Sequence, residues 1–251
     1  MPTVRTTPVV RLLLIINSVA FLVQMFADTF FGTHLFEIFG LVPYRVFHHY
    51  AVWQPFTYMF LHADMFHILF NMLVLWMIGS ELEAQWGPRF FTRFYLVSGM
   101  AGAFLYLAVQ PFFEGTTAAL VPVVGSSGAV YGLLVAYGII YSERVMLFMM
   151  IFPMKAKHFV LVLAAVELVT SVFNSRSVLA NLAHLGGMGA GFLYLSLSAY
   201  YRIRAKEKKT GKKSRAKRSK HLRLVINNET FKDFDTDDHD GSDDSGRPFS
   251  H

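Results

Sequence analysis

From Phe60 to Ile78 the chain reads FLHADMFHILFNMLVLWMI, and beyond Asp64 this stretch contains no Asp, Glu, Lys or Arg. A hydrocarbon core of about 30 Å needs about 20 mostly apolar residues in one helix, so the stretch predicts a membrane span. His67 and Asn71, four residues apart, fall on one face of it. Working outward, the same criterion predicts spans at Val9–Ala27, Phe91–Val109, Gly125–Tyr141, Phe159–Phe173 and Leu179–Tyr200. Val145–Phe152 is apolar too, but Pro153 ends it and Lys155 and Lys157 follow, so it reads as an interfacial stretch. The expected fold is an all-α membrane protein, a bundle of six transmembrane helices over residues 1–201.

Composition agrees with a lipid solvent: of 251 residues 54% are hydrophobic, 25 are Phe and only 16% are charged. With no Cys, disulfide frameworks, Cys-ligated metals and thiol catalysis are excluded. The net charge of +6 belongs to the end of the chain, because 11 of the 23 Lys and Arg lie between Arg202 and Lys220. That basic run gives way to Asp233, Asp235, Asp237, Asp238, Asp240, Asp243 and Asp244. With few apolar residues to offset chain entropy, residues 202–251 are expected to be a disordered tail whose basic part meets anionic lipid headgroups. No nucleic-acid partner is expected.

Lys and Arg also set the orientation. Arg5, Arg11, Arg89, Arg93, Arg144, Lys155, Lys157 and the tail fall on one side of a six-span arrangement, and Arg45 and Arg176 on the other. Both termini are thus expected in the cytoplasm, with the second, fourth and sixth spans entering from the outer face. The first apolar run lacks a small-x-small cleavage site before Phe30 and Phe31, so it is read as a retained span.

Polar side chains inside spans are costly and mark candidate sites. The second span carries His67 and Asn71, the fourth opens with Gly125-Ser126-Ser127-Gly128, and the sixth carries His184 in Ala183-His184-Leu185-Gly186-Gly187. All fall within the first turns of spans entering from one face, hence at similar depth. Gly128 with Gly132, and Gly187 with Gly191, make small-residue pairs at a spacing of four, which lets two helices cross closely. Such a crossing would bring a serine hydroxyl to the His184 imidazole.

A serine hydroxyl becomes a nucleophile when a neighbouring base takes its proton, and imidazole suits that task near neutral pH. Spacing and chemistry alone do not separate Ser126 from Ser127. Asn71, His67 and the N–H groups that open the fourth span are available donors for an oxyanion. No acid is expected to complete a triad: Glu167, in the fifth span, is read as a helix-packing residue. The motif is not the Gly-x-Ser-x-Gly elbow of α/β-hydrolases, because position 129 is Ala. His48, His49, His62, Asp64 and His67 do not form His-Glu-x-x-His, and a metal site is not expected.

Taken in order on alternate spans, His62-Ala63-Asp64-Met65-Phe66-His67-Ile68-Leu69-Phe70-Asn71, Gly125-Ser126-Ser127-Gly128 and Ala183-His184-Leu185-Gly186-Gly187 resemble the rhomboid proteases. The resemblance runs from about Val9 to Tyr200 and includes Glu81-Leu82-Glu83 with Trp86-Gly87. It implies a cofactor-free intramembrane serine endopeptidase acting on transmembrane protein substrates near their outer ends. It also implies Ser127 as nucleophile, His184 as general base, Asn71 and His67 at the oxyanion, and Gly125, Gly128 and Tyr131 as support, with Tyr131 stacked on the histidine. Ala27–Trp53 would be the family's first loop. Where the family often has Trp-Arg at its anchoring end, this chain has Trp53-Gln54.

Two other readings compete: a non-proteolytic rhomboid-like chaperone or adaptor, and a small transporter. The transporter ranks last, because the polar groups cluster toward one face and no duplication of spans is evident. A bacterial plasma membrane is the expected location.

Overall fold

A computed structural model describes residues 5–112, 118–148, 152–173 and 178–226 and divides the chain into two units, Met1–Ser198 and Ala199–His251. The first helix, α1 (Pro8–Phe31), starts on a proline, whose missing N–H costs nothing there, and ends at Gly32 in the left-handed region. Its polarity is inverted: Asn17 and Gln24 are buried, while Leu12, Ile15, Val19, Leu22 and Phe26 are exposed. In water such a surface would collapse or aggregate; in a bilayer the exposed face meets lipid and the amides find partners inside. Asn17 donates to the Leu13 carbonyl, and Gln24 donates to the His62 carbonyl at 2.9 Å. Pro8–Phe31, Met65–Trp86 and Pro88–Phe112 are each long and apolar enough to cross a membrane. This is an integral membrane protein built mostly of helices.

After α1 the chain forms three short helices, α2 (Leu35–Phe39), α3 (Pro43–His48) and α4 (Gln54–Thr57). A long rod follows, made of α5 (Met65–Val74), a π-helical turn over Leu75–Gly79 and α6 (Ser80–Trp86). Gly87, at φ +81°, turns the chain into α7 (Pro88–Val109), again with proline at its start. The remaining helices are α8 (Ser127–Ile140), α9 (Ala156–Phe173) and α10 (Val178–Ile226). Each of the six stretches expected to be helical is largely helical: four keep their ends to within about four residues, the second runs on to Trp86 and the sixth to Ile226.

Two expectations are corrected. The all-α reading omits a hairpin of β1 (Val145–Phe148) and β2 (Phe152–Lys155), paired antiparallel from Val145 opposite Lys155 to Phe148 opposite Phe152. Pro153 lacks an N–H and disfavours helix in the residue before it, so strand pairing is the remaining way to satisfy this backbone. Lys155 and Lys157 both donate to Glu143 at the hairpin base, and these bonds pull its carboxyl down to about 2. The second correction concerns the tail, where 202–226 is helical rather than disordered. Its Lys, Arg, Ala and Leu are strong helix formers, and extending an existing helix avoids the cost of nucleation. Residues 199–208 are exposed throughout; the acidic run lies outside the described residues.

The core of the first unit surrounds α8. This helix is about 21 Å long at 1.5 Å per residue, and Gly128, Ala129, Val130 and every residue from Gly132 to Gly138 are buried. Buried Phe91, Phe94, Tyr95 and Tyr106 of α7 belong to the same core. At the opposite end of the rod, Glu83 is buried and accepts from Thr7 Oγ1, from the Val9 N–H at 3.0 Å and from the Val10 N–H at 2.8 Å. A carboxylate from α6 therefore caps the free N–H groups at the start of α1, where the helix dipole favours negative charge.

The segment between α1 and α5 is pinned by Gln54, which is fully buried. Its Oε1 accepts from the Val42 N–H at 2.9 Å, and its Nε2 donates to the carbonyls of Glu37 (2.9 Å) and Ile38 (3.2 Å). Trp53 Nε1 adds a bond to the Ile38 carbonyl at 2.8 Å. The amide thus supplies both a donor and an acceptor, where an arginine could only donate. Gln54→Ala is expected to leave these backbone groups unpaired and to cost about 1–3 kcal/mol, read as a lowered thermal unfolding midpoint in detergent; an unchanged midpoint would assign the anchoring to Trp53.

Candidate active site

The turn into α8 decides where its first side chains point. Gly125 has φ +123°, a backbone state open to glycine, and its N–H donates to the Tyr58 carbonyl at 2.9 Å. A Cβ at Gly125 would lie 2.7 Å from His67 Nε2 and 3.6 Å from Ser127 Oγ, so the missing side chain is the space in which histidine and serine approach. Just before, Leu41 and Val123 exchange two backbone hydrogen bonds, tying the segment that leads into α8 to the loop after α1.

The two serines have different partners. Ser126 is fully buried, with its Oγ 3.4 Å from His62 Nε2. Ser127, the first residue of α8, has its Oγ 2.8 Å from His184 Nε2. His62 is held in turn by α1, since Gln24 bonds its backbone in both directions. Asp64 caps α5 by accepting from the His67 N–H at 2.9 Å. Two residues weighed for a metal site therefore have structural partners of their own.

The contact between Ser127 and His184 rests on glycine. A Cβ on Gly187 would run into the Gly128 carbonyl oxygen and stand 2.9 Å from the Gly128 Cα. One turn on, a Cβ on Gly191 would be 3.0 Å from the Gly132 Cα. The α8 and α10 backbones thus touch along both glycine pairs. The Tyr131 ring lies parallel to the His184 ring, with centroids 4.4 Å apart and planes 9° from parallel.

Of the remaining expected site residues, His67 packs at Gly125 and meets the His62 ring edge-on at 5.1 Å. Asn71 is buried one turn later on the same face of α5, and its Nδ2 has no hydrogen-bond acceptor among the described residues. An unpaired buried amide donor is costly unless something else occupies it.

The structure differs from the sequence reading at Glu167. Rather than merely packing between helices, this residue of α9 places Oε1 3.0 Å from His184 Nδ1 and 2.5 Å from Tyr131 Oη, which donates to it. One signal is present in the sequence: an isolated acid in an otherwise apolar helix needs a partner. Which partner it meets depends on how α9 is rotated against α8 and α10.

A family model described as Rhomboid domain matches residues 49–201. RHOMBOID-like protein 1 of Arabidopsis thaliana is 34% identical over 149 residues, covering 59% of this chain and 35% of its own length. Rhomboid protein 1, mitochondrial, of Saccharomyces cerevisiae is 30% identical over 159 residues, 62% of this chain and 44% of the relative. Rhomboid protease GluP of Bacillus subtilis is 32% identical over 82 residues, 33% of this chain and 14% of the relative. The chain spans less than half the length of each of these three relatives. They come from a plant, a yeast and a bacterium, and so do not single out a bacterial plasma membrane.

Proposed function

The chain belongs to the rhomboid family, and from that premise we propose that it is an intramembrane serine endopeptidase that cleaves transmembrane proteins with Ser127 as nucleophile and His184 as general base. The observation that carries this reading is the 2.8 Å approach of Ser127 Oγ to His184 Nε2 in an apolar bundle. A scaffold needs no hydroxyl at the free nitrogen of an imidazole, so this contact favours the protease over a rhomboid-like chaperone or adaptor. The Bacillus relative, named as a rhomboid protease, points the same way.

In the first step Ser127 Oγ bonds the scissile carbonyl carbon while its proton moves to His184 Nε2. The carbonyl oxygen takes the negative charge. The Asn71 Nδ2 donor, His67 beside Gly125, and the first N–H groups of α8, which have no intrahelical acceptor, would receive it. Collapse of this intermediate breaks the C–N bond, and the proton on His184 leaves with the amine. Water then attacks the acyl-serine, again through His184, and releases the acid. No cofactor enters this scheme.

In this reading the bundle crosses the bilayer six times, with both termini in the cytoplasm by the Lys and Arg distribution. Ser127 lies at the start of a short helix entered from the outer face, so cleavage falls near the outer end of a substrate helix. Which hydroxyl reacts is tested by fluorophosphonate labelling of the purified protein in liposomes, where labelling lost in Ser127→Ala and kept in Ser126→Ala supports this reading.

The role of Asn71 has its own test. Asn71→Ala is expected to lower kcat by about 10²–10³-fold, the usual loss on removing one oxyanion donor, while probe binding to the folded protein persists. Wild-type kcat in this variant would transfer the oxyanion role to His67 and the α8 backbone.

A further inference from the structure

Between α8 and α9, the residues from Val145 to Met154 carry no charged, hydroxyl or amide side chain. The β1–β2 hairpin in this stretch shows apolar surface on both faces. Cross-strand partners point to the same side of a pleated pair, so Met146, Met154 and Phe152 share one face and Val145 shares the other with Lys155. Met146 packs against the core, yet Phe152 and Val145 are each 61% exposed. Two strands alone are marginally stable in water, and an apolar pair with open edges invites aggregation there.

We propose that this hairpin lies in the cytoplasmic leaflet of the bilayer, with Val145 and Phe152 against the lipid chains just below the phosphates and Arg144, Lys155 and Lys157 at the phosphate level. The inference rests on the reading in which α8 and α9 cross the membrane, and not on proteolysis. Reach keeps the hairpin there: α8 ends at Ile140, and α9 starts at Ala156, directly after β2. Strands of four residues span about 13 Å at about 3.3 Å per residue. The hairpin therefore stays beside the membrane surface from which both helices depart. Charge agrees, because Arg144, Lys155 and Lys157 pair with only two carboxylates, Glu81 and Glu143, which leaves one positive charge in excess to meet anionic headgroups. Depth is limited by the backbone, since open strand edges hold unpaired N–H and C=O groups that the hydrocarbon centre does not tolerate. An interfacial depth meets both demands, with water at the edges and lipid at the side chains. A second copy could cover the same surface by edge-to-edge pairing, but Pro153 removes one N–H from β2 and blunts it.

The chain has no Cys, so a single cysteine can carry a nitroxide label. The label is placed at Phe152→Cys in the full chain, in liposomes of phosphatidylcholine and phosphatidylglycerol. Its collisions with dissolved oxygen, which concentrates in lipid, are compared with those of a water-soluble nickel chelate. Leu168→Cys, exposed on α9, is the reference for a lipid-facing position. Oxygen is expected to outcompete the chelate at Phe152→Cys, at a depth shallower than Leu168→Cys. Nickel collisions as frequent as those of free label would put the hairpin in water and overturn the proposal. Spin–spin broadening with neither reagent reaching the label would assign the surface to a second copy and overturn it equally. Should Phe152→Cys lower the unfolding midpoint in detergent, Val145→Cys on the opposite face carries the same comparison. A lipid signal at Leu168→Cys beside a water signal at the hairpin sinks this inference alone; a water signal at both sinks it together with the α9 crossing. Wild type without cleavage or probe labelling would count against the protease reading and leave these collisions unchanged.

Discussion

Ser127→Ala is expected to abolish both proteolysis and fluorophosphonate labelling while the protein stays folded. The substitution removes the one hydroxyl at 2.8 Å from His184 Nε2, and no Cys is present to act in its place. Loss of a serine nucleophile lowers kcat by about 10⁶-fold in serine proteases, so activity should fall below detection. The cost to stability is about 1 kcal/mol, that of one hydrogen bond. Ser126→Ala is the matched control. Its hydroxyl faces His62 at 3.4 Å, so labelling is expected to persist. Wild type that labels no better than Ser127→Ala, beside a labelled control hydrolase, would shift the reading to a non-proteolytic rhomboid-like chaperone or adaptor. Labelling lost in Ser126→Ala and kept in Ser127→Ala would exchange the two serines.

The second large effect is expected from a residue that takes no part in the chemistry. In Gly187→Ala the added Cβ would meet the carbonyl oxygen and Cα of Gly128, both backbone atoms with no rotamer to yield. The helices must separate instead. Overpacking of this kind costs about 1–3 kcal/mol, and a displacement of about 1 Å between reacting groups can lower the rate about 10²-fold. Both losses should appear together, as a lower unfolding midpoint in detergent and slower cleavage in liposomes. Gly189, two residues on, is exposed, and a methyl group added there would find nothing within 4 Å. Gly189→Ala should therefore keep full activity and gain up to about 1 kcal/mol from helix propensity. Equal behaviour of the two variants would refute the close α8–α10 crossing.

Much of this molecule is legible from local pattern. Apolar runs bounded by Pro, Gly and charge locate the helices, because each helix satisfies its own backbone bonds and must present an apolar surface to lipid. The same rule exposes the exceptions, His67, Asn71, Ser127, Glu167 and His184, as polar groups in costly surroundings. The hairpin at Val145–Lys155 is harder to read, since a short apolar run beside Pro153 suits either an interfacial stretch or a strand pair. The helix through Ile226 escapes a reading by composition because low hydrophobicity argues against a packed core without arguing against helix.

Sequence by itself determined that this is a helical membrane protein with a small set of misplaced polar side chains, since hydropathy and spacing are properties of one segment at a time. Spacing and chemistry left Ser126 and Ser127 open, the family resemblance implied Ser127, and the tertiary structure places its Oγ at His184 Nε2; tertiary structure alone decided that Gln54 pins the loop after α1 and that Glu167 lies at the far side of the imidazole. The reason is physical. In water an apolar stripe tells a helix which way to turn, but in lipid the outside is as apolar as the inside, so the rotation and crossing of helices are set by glycine contacts and buried polar bonds between distant segments.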